Sequence, residues 1–255
     1  MGNDQPVTVK IKAEAMAADG NEGDLTASIQ RYFQTSTFSD LTIITRDQKF
    51  EVHKLIVCGQ SDFFSRLFNH NWREATENVI QLEDDDPRAI EAMIHFLYGF
   101  NYDSSGSDQG RVSPMLFNVK VYEIGDKYGI PNLKAQAKEK FSVAINTCWE
   151  MDDFPIAIAS AYSTTSSADR GLRDLLVSTS LEHINDLLKN DDFKQILRET
   201  LGFAADLVQS QDHKISMTTY RCPGCANDWT AQSSGKVKHC PSCGYNVDWS
   251  RHVKK

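Results

Sequence analysis

A chain of 255 residues that is 40% hydrophobic can bury the core of one or two domains. No apolar run approaches the roughly 18 residues that span a bilayer, and the opening MGNDQPVTVK lacks the apolar stretch of a secretory signal. A soluble, intracellular chain, in cytoplasm or nucleus, is therefore expected. Gly2 occupies the place of a myristoylation start, but Pro6 stands where Ser or Thr belongs. The net charge of −8 is uneven, because residues 214–255 carry seven Lys or Arg against two Asp, a tail of +5 behind a body of −13. That division reads as a bipartite design or as ordinary surface solvation.

Residues 1–23 are polar, and Val7, Val9 and Ile11 alternate, which makes the segment a flexible arm or a short strand. Asp24 can cap a helix carrying Leu25, Ile29, Tyr32 and Phe33, leading to a turn at Thr35-Ser36-Thr37. Leu41 and Ile43, a reversal at Arg46-Asp47-Gln48, then Phe50 and Val52 predict a hairpin. The apolar run Leu55-Ile56-Val57-Cys58, ended by Gly59, opens a helix pair. Ser61 caps its second member, with Phe64, Leu67 and Phe68 on one face. Val79, Ile80 and Leu82 predict a third strand. Asp86-Pro87 starts a helix with a buried stripe of Ile90, Met93, Ile94, Leu97 and Tyr98.

The Gly-, Ser- and Asp-rich residues 103–114 form a loop, and Ser113-Pro114 restarts a helix with Phe117, Val121, Ile124 and Tyr128 on one face. Pro131 punctuates it, and Leu133, Ala137, Phe141 and Ala144 continue a second helix. Residues 147–212 read as helical throughout, in stretches over 154–162, 169–178, 181–188, 193–201 and 202–208. They form a partner-supporting extension or a spacer. Cys58 and Cys148 read as buried small hydrophobes.

The sharpest chemical pattern is C-terminal: Cys222-Pro-Gly-Cys225 and Cys240-Pro-Ser-Cys243-Gly244, with 14 residues between the pairs. Two such turns can present four thiolates tetrahedrally to one ion, and their backbone N–H groups point at the sulfurs. Four Cys suit one structural Zn²⁺ and leave no open position for catalysis. Gly244 follows the second pair, and Ala226 replaces Gly after the first. This pattern resembles a zinc ribbon over Tyr220 to Trp249. Its few core candidates, Tyr220, Trp229, Val237, Tyr245 and Trp249, make folding dependent on the metal. His239 is a surface residue or a competing ligand. Lys236, Lys238 and Arg251, with the aromatics, are either a small nucleic-acid patch or solubilising charges over a mini-core.

Several phrases in order resemble the BTB/POZ family. They are Ser39-Asp40-Leu41 before a strand, Phe50-Glu51-Val52-His53-Lys54 entering a helix, Ser61-Asp62-Phe63-Phe64, Val79 to Leu82, and Asp126-Lys127-Tyr128-Gly129-Ile130. The resemblance implies an α+β fold, a helical cluster flanked by a small sheet, acting in protein–protein interaction without catalytic machinery. Asp40 and His53 then belong to the family signature near an interaction surface, with partnered structural roles.

In BTB adaptors for cullin-type ubiquitin ligases, a hydrophobic-x-Glu motif follows the helix that carries the Phe64-Leu67-Phe68 type of face. Phe68, Trp72 and Glu74 match that placement, with Trp72 as anchor or as a residue packed under the loop. No Ser/His/Asp order, phosphate-cradling loop or paired carboxylates emerges. The expected organisation is an arm over 1–23, a BTB/POZ domain over 24–146, a helical extension over 147–212 and a zinc-ribbon-like domain over 213–255. Its expected partners are proteins, including a second copy or a cullin, with nucleic acid as the alternative.

Overall fold

The computed structural model describes residues 25–69, 73–102, 113–214, 217–232 and 239–253. The expected arm, the Asp24 cap and residues 103–112 of the expected loop lie outside the described residues. The chain divides into two compact units, Met1–Leu176 and Val177–Lys255.

The first unit opens with α1 (Leu25–Thr35), none of whose residues is fully buried. Its apolar stripe is therefore only partly used: Phe33 stacks on Tyr98 at 4.3 Å between centroids, while Leu25 is 73% exposed. The hairpin of β1 (Leu41–Ile44) and β2 (Lys49–Val52) pairs Leu41 with Val52 and Ile43 with Phe50. Those four residues face the core, as period-2 alternation requires. Thr45 closes the turn, donating its N–H to Gln48 O at 2.9 Å and accepting from Gln48 N at 3.1 Å on its hydroxyl.

Next come α2 (Lys54–Gln60) and α3 (Asp62–Phe68). Of the run Leu55–Cys58 only Val57 is buried; Leu55 is 83% exposed and Cys58 half-buried. Cys148 is also half-buried, so neither thiol is the buried hydrophobe expected. Four successive residues of a helix point around its whole circumference, so they cannot share one core face. Gly59 lies inside α2 rather than ending it. Ser61 caps α3, accepting from Phe64 N at 3.2 Å, and its hydroxyl donates to Tyr128 O at 2.5 Å.

The short α4 (Arg73–Glu77) has no counterpart in the sequence reading. It ends at Asn78, which adopts a left-handed φ of +58° and donates its N–H to Glu74 O at 2.9 Å. Strand β3 (Val79–Gln81) then pairs parallel to β1, giving the sheet order β2-β1-β3.

Asp86 caps α5 (Pro87–Leu97), its carboxylate accepting from Arg88 N at 3.0 Å and Ala89 N at 3.2 Å. The expected stripe of Ile90, Met93, Ile94, Leu97 and Tyr98 is buried. Helices α6 (Pro114–Lys127) and α7 (Pro131–Cys148) pack closely. Gly125 permits that approach, since a Cβ there would lie 2.8 Å from Lys134 N. The Phe64 ring stacks on Tyr128 at 5.2 Å, joining α3 to this pair. Helix α8 (Asp153–Thr164) packs on α6, and Phe154 is wholly buried. Beyond it, Lys134 Nζ and Asp169 Oδ2 pair at 2.7 Å. Arg173 at the start of α9 (Gly171–Glu182) reaches back to Thr165 Oγ1 at 3.0 Å.

In the second unit, the expected stretch over 181–188 is broken: α9 ends at Glu182 and α10 (Ile184–Leu187) is a single turn. Asn190 caps α11 (Asp191–Glu199), accepting from Asp192 N at 2.8 Å. Phe193 meets Phe203 of α12 (Leu201–Lys214) edge-on at 6.1 Å. Strands β4 (Met217–Arg221) and β5 (Asp228–Gln232) form an antiparallel ribbon with Tyr220 opposite Trp229, and Val253 bridges to Tyr220. The observed class is the expected α+β one: helices clustered on a small sheet, further helices, and a small ribbon.

Candidate metal centre and partner-docking face

Strand β4 runs into the turn Cys222–Cys225, β5 leaves it, and Cys240–Cys243 forms a matching turn. Their four sulfurs lie within 4.8 Å of one another. Cys222 Sγ is 3.6 Å from Cys243 Sγ, and Cys225 Sγ is 3.8 Å from Cys240 Sγ. A tetrahedral ion with metal–sulfur bonds of about 2.3 Å needs sulfurs about 3.8 Å apart, so the cluster fits one ion with little movement.

The two turns share one build. Gly224 N–H donates to Cys222 Sγ at 3.3 Å and Ser242 N–H to Cys240 Sγ at 3.4 Å. Ala226 N–H and Gly244 N–H donate to the carbonyls of Cys222 and Cys240, both at 2.9 Å. Ala226 and Gly244 have φ of +60° and +73°, a conformation that costs a residue with a Cβ about 1 kcal/mol. His239 is exposed and is not among the clustered ligands.

The thiols press on one another. Burial would push Cys240 up, but N–H groups of Ser242 and Cys243 hold it at about 6. The Tyr245 N–H favours the Cys243 thiolate, yet burial and the three neighbouring sulfurs drive that thiol up to about 12. Four such groups ionise together only around a cation, which is the chemistry of a metal site.

Beneath the cluster, Tyr220 stacks on Trp229 at 5.1 Å, and Trp249 meets Trp229 edge-on at 5.2 Å. Tyr220 and Trp249 are buried, whereas Tyr245 is 46% exposed and stands outside this small core. Val237, Lys236 and Lys238 lie outside the described residues. Arg251 is exposed, with its Nε 4.0 Å from Asp248 Oδ2.

In the first unit, Asp40 Oδ1 accepts Lys54 N at 2.7 Å, capping α2 from outside that helix. His53 Nε2 lies 2.8 Å from Thr37 O, which only accepts, so this nitrogen carries the proton. Tyr98 Oη lies 2.7 Å from His53 Nδ1 and accepts His53 N–H at 2.8 Å. Burial, with the Asp40 charge, pushes the Tyr98 hydroxyl up to about 12 against that N–H. Asp40 and His53 therefore tie the hairpin to α2 and α5.

Phe68 is half-buried at the end of α3, and Glu74 is half-buried at the start of α4, which packs on α3. Trp72 lies outside the described residues. Sequence reasoning missed Lys54 here. Its Nζ sits 4.9 Å over the Phe68 ring and donates to Asn78 Oδ1, bracketing the segment between α3 and β3. Nothing in the sequence marks this lysine beyond its place after His53. A cleft of about 280 Å³ lies between the start of α5, α6 and α8, lined by Leu116, Phe117 and Ile156, with Arg88 and Lys120 also lining it.

A BTB/POZ domain profile matches residues 29–144. The chain is 32% identical over 79 residues to the Kelch repeat and BTB domain-containing protein A55 of vaccinia virus (strain Western Reserve), covering 31% of this chain and 14% of that protein. It is 27% identical over 119 residues to the Kelch repeat and BTB domain-containing protein 1 of cowpox virus (strain GRI-90 / Grishak), covering 44% of this chain and 21% of the relative. Among solved structures, the BTB domain of zebrafish PATZ1 aligns at 11% identity and a TM-score of 0.35, over 45% of this chain and 85% of that one.

Proposed function

Because residues 29–144 are a BTB/POZ domain, a protein-interaction module, we propose that this chain is a recruiter that joins a cullin-type ubiquitin ligase to a second protein. The observation that carries the proposal is the half-exposed pair Phe68 and Glu74 on the packed helices α3 and α4. With Trp72 between them in sequence, they offer an aromatic anchor and an orienting carboxylate. The chain is read as intracellular and without catalytic activity of its own.

A second copy is the natural partner for another surface. Leu25 and Phe38 are 73% and 78% exposed, and Tyr32 meets the Phe38 ring at 5.6 Å. Ser36 and Phe38 hold φ of +52° and +64°, a conformation that non-glycine residues rarely adopt. The domain is thus read as a homodimer through α1 and the turn after it.

The four-Cys cluster is read as a structural Zn²⁺ site held by Cys222, Cys225, Cys240 and Cys243. The ion would supply cross-linking and charge neutralisation, and the four thiolates would leave no position open for water. The alternative role for the ribbon, contact with nucleic acid, rests on exposed Arg251 and on Lys236 and Lys238. It is the weaker reading, because Trp229 and Trp249 pack on each other and on Tyr220 rather than offering free faces.

The test is calorimetric titration of the zinc-loaded chain with the N-terminal half of a BTB-binding cullin, beside Glu74→Ala and Phe68→Ala. Saturable binding weakened at least about ten-fold by each substitution supports the recruiter. Unchanged affinity in both variants, with the chain folded, removes the docking face, and absent binding removes the ligase role. A steep loss of DNA or RNA binding with salt would move the ribbon to the alternative.

A further inference from the structure

We infer that Cys243 is the thiolate of the metal cluster that reacts with hydrogen peroxide, and that Cys222 resolves it into a disulfide across the two turns. The inference rests on the zinc reading above. In the loaded site all four sulfurs are thiolates, so access rather than ionisation decides which one an oxidant reaches. Cys222 and Cys240 are each 1% exposed and Cys225 is half-buried, whereas Cys243 is exposed. Open space continues beside it, since a Cβ added at Gly244 would meet nothing within 4 Å.

The partner is set by distance. Cys222 Sγ lies 3.6 Å from Cys243 Sγ, leaving a contraction of about 1.5 Å to a disulfide bond. Cys225 and Cys240, at 3.8 Å, are left facing each other as a second pair across the turns. Cys222 itself is held in place by the Gly224 N–H at 3.3 Å.

The chemistry balances. The Cys243 thiolate attacks one peroxide oxygen, the O–O bond breaks, and the departing oxygen leaves as water after taking a proton. The sulfenic acid that results on Cys243 is then attacked by the Cys222 thiolate. The S–S bond forms, and the hydroxyl leaves with a second proton as water. Two thiolates lose two electrons to one peroxide, giving one disulfide and two waters. Two of the four ligands are thereby removed, so oxidation and metal release are coupled.

The experiment uses the full zinc-loaded chain titrated with hydrogen peroxide. Released zinc is read with a chromogenic chelator, and disulfides are mapped by mass spectrometry at the earliest time points. The expected first linkage is Cys222 to Cys243, appearing with metal release. Cys243→His keeps a fourth ligand while removing the accessible sulfur, and should slow release at least about ten-fold. A first linkage of Cys222 to Cys225 or Cys240 to Cys243, or unchanged release in Cys243→His, overturns the inference. Should Cys243→His fail to retain zinc, the wild-type linkage map decides alone. A chain that binds no zinc at all overturns the metal reading, and this inference with it.

Discussion

Tyr122 donates its hydroxyl to Asp169 Oδ1 at 2.7 Å, tying α6 to the start of α9 across 47 positions of sequence. The same carboxylate accepts Gly171 N at 2.9 Å and pairs with Lys134 at 2.7 Å. Burial raises the Asp169 pKa, but Lys134, Tyr122 and the Gly171 N–H together hold it below the ordinary carboxylate range. A carboxylate with a depressed folded pKa contributes stability above its unfolded value of about 3.9, and that contribution is lost as pH falls through the folded value. Asp169→Asn should lower stability at pH 7 by about 1–3 kcal/mol and flatten the acid limb below about pH 4. Urea unfolding at a series of pH values checks this, and parallel wild-type and variant profiles would count against it.

Arg173 is only 7% exposed and its charge is used locally. Its guanidinium sits 4.3 Å from the Tyr162 ring and donates to Tyr162 O at 3.3 Å as well as to Thr165. It thereby satisfies carbonyls at the C-terminal end of α8, where a cation also suits the helix dipole. Arg173→Met should destabilise the first unit by about 2–4 kcal/mol, and Arg173→Lys should recover less than half of that. Full recovery by lysine would show that charge alone matters.

Ala226 holds a left-handed φ of +60° at the position where the second turn has Gly244. Ala226→Gly removes the Cβ penalty and should tighten metal retention by about 0.5–1 kcal/mol, or two- to five-fold in competition with a chelator. Weaker retention would mean that the alanine methyl is needed for packing.

Removing the metal should affect the ribbon alone. Its core is little more than Tyr220, Trp229 and Trp249, whereas metal binding in small zinc domains supplies on the order of 10 kcal/mol or more. Excess chelator should abolish amide protection across β4 and β5, while α5 to α7 stay protected. Retained protection in the ribbon would contradict the dependence on metal.

What the sequence showed depended on how local the cause is. Ser61, Asp86 and Ser113 cap their helices through side chains two or three residues from the N–H groups they accept, so they were legible. The Cys cluster was legible because its spacing alone constrains the chemistry. The pairing of Cys222 with Cys243 was not, because it depends on how the two turns face each other. Helix α4 escaped notice because five residues carry no periodicity, and Asn78, which ends it, is held by Lys54 from α2. Cys58 is only half-buried for a related reason: a run of apolar residues has no face until it is wound into a helix.

The most direct measurement of the recruiting face is hydrogen exchange on the full zinc-loaded chain, with and without the N-terminal half of a BTB-binding cullin. The account predicts slowed exchange over α3 and α4, residues 62–68 and 73–77, with the ribbon unchanged. Slowed exchange confined to residues 177–255, or none anywhere at saturating cullin, would contradict it.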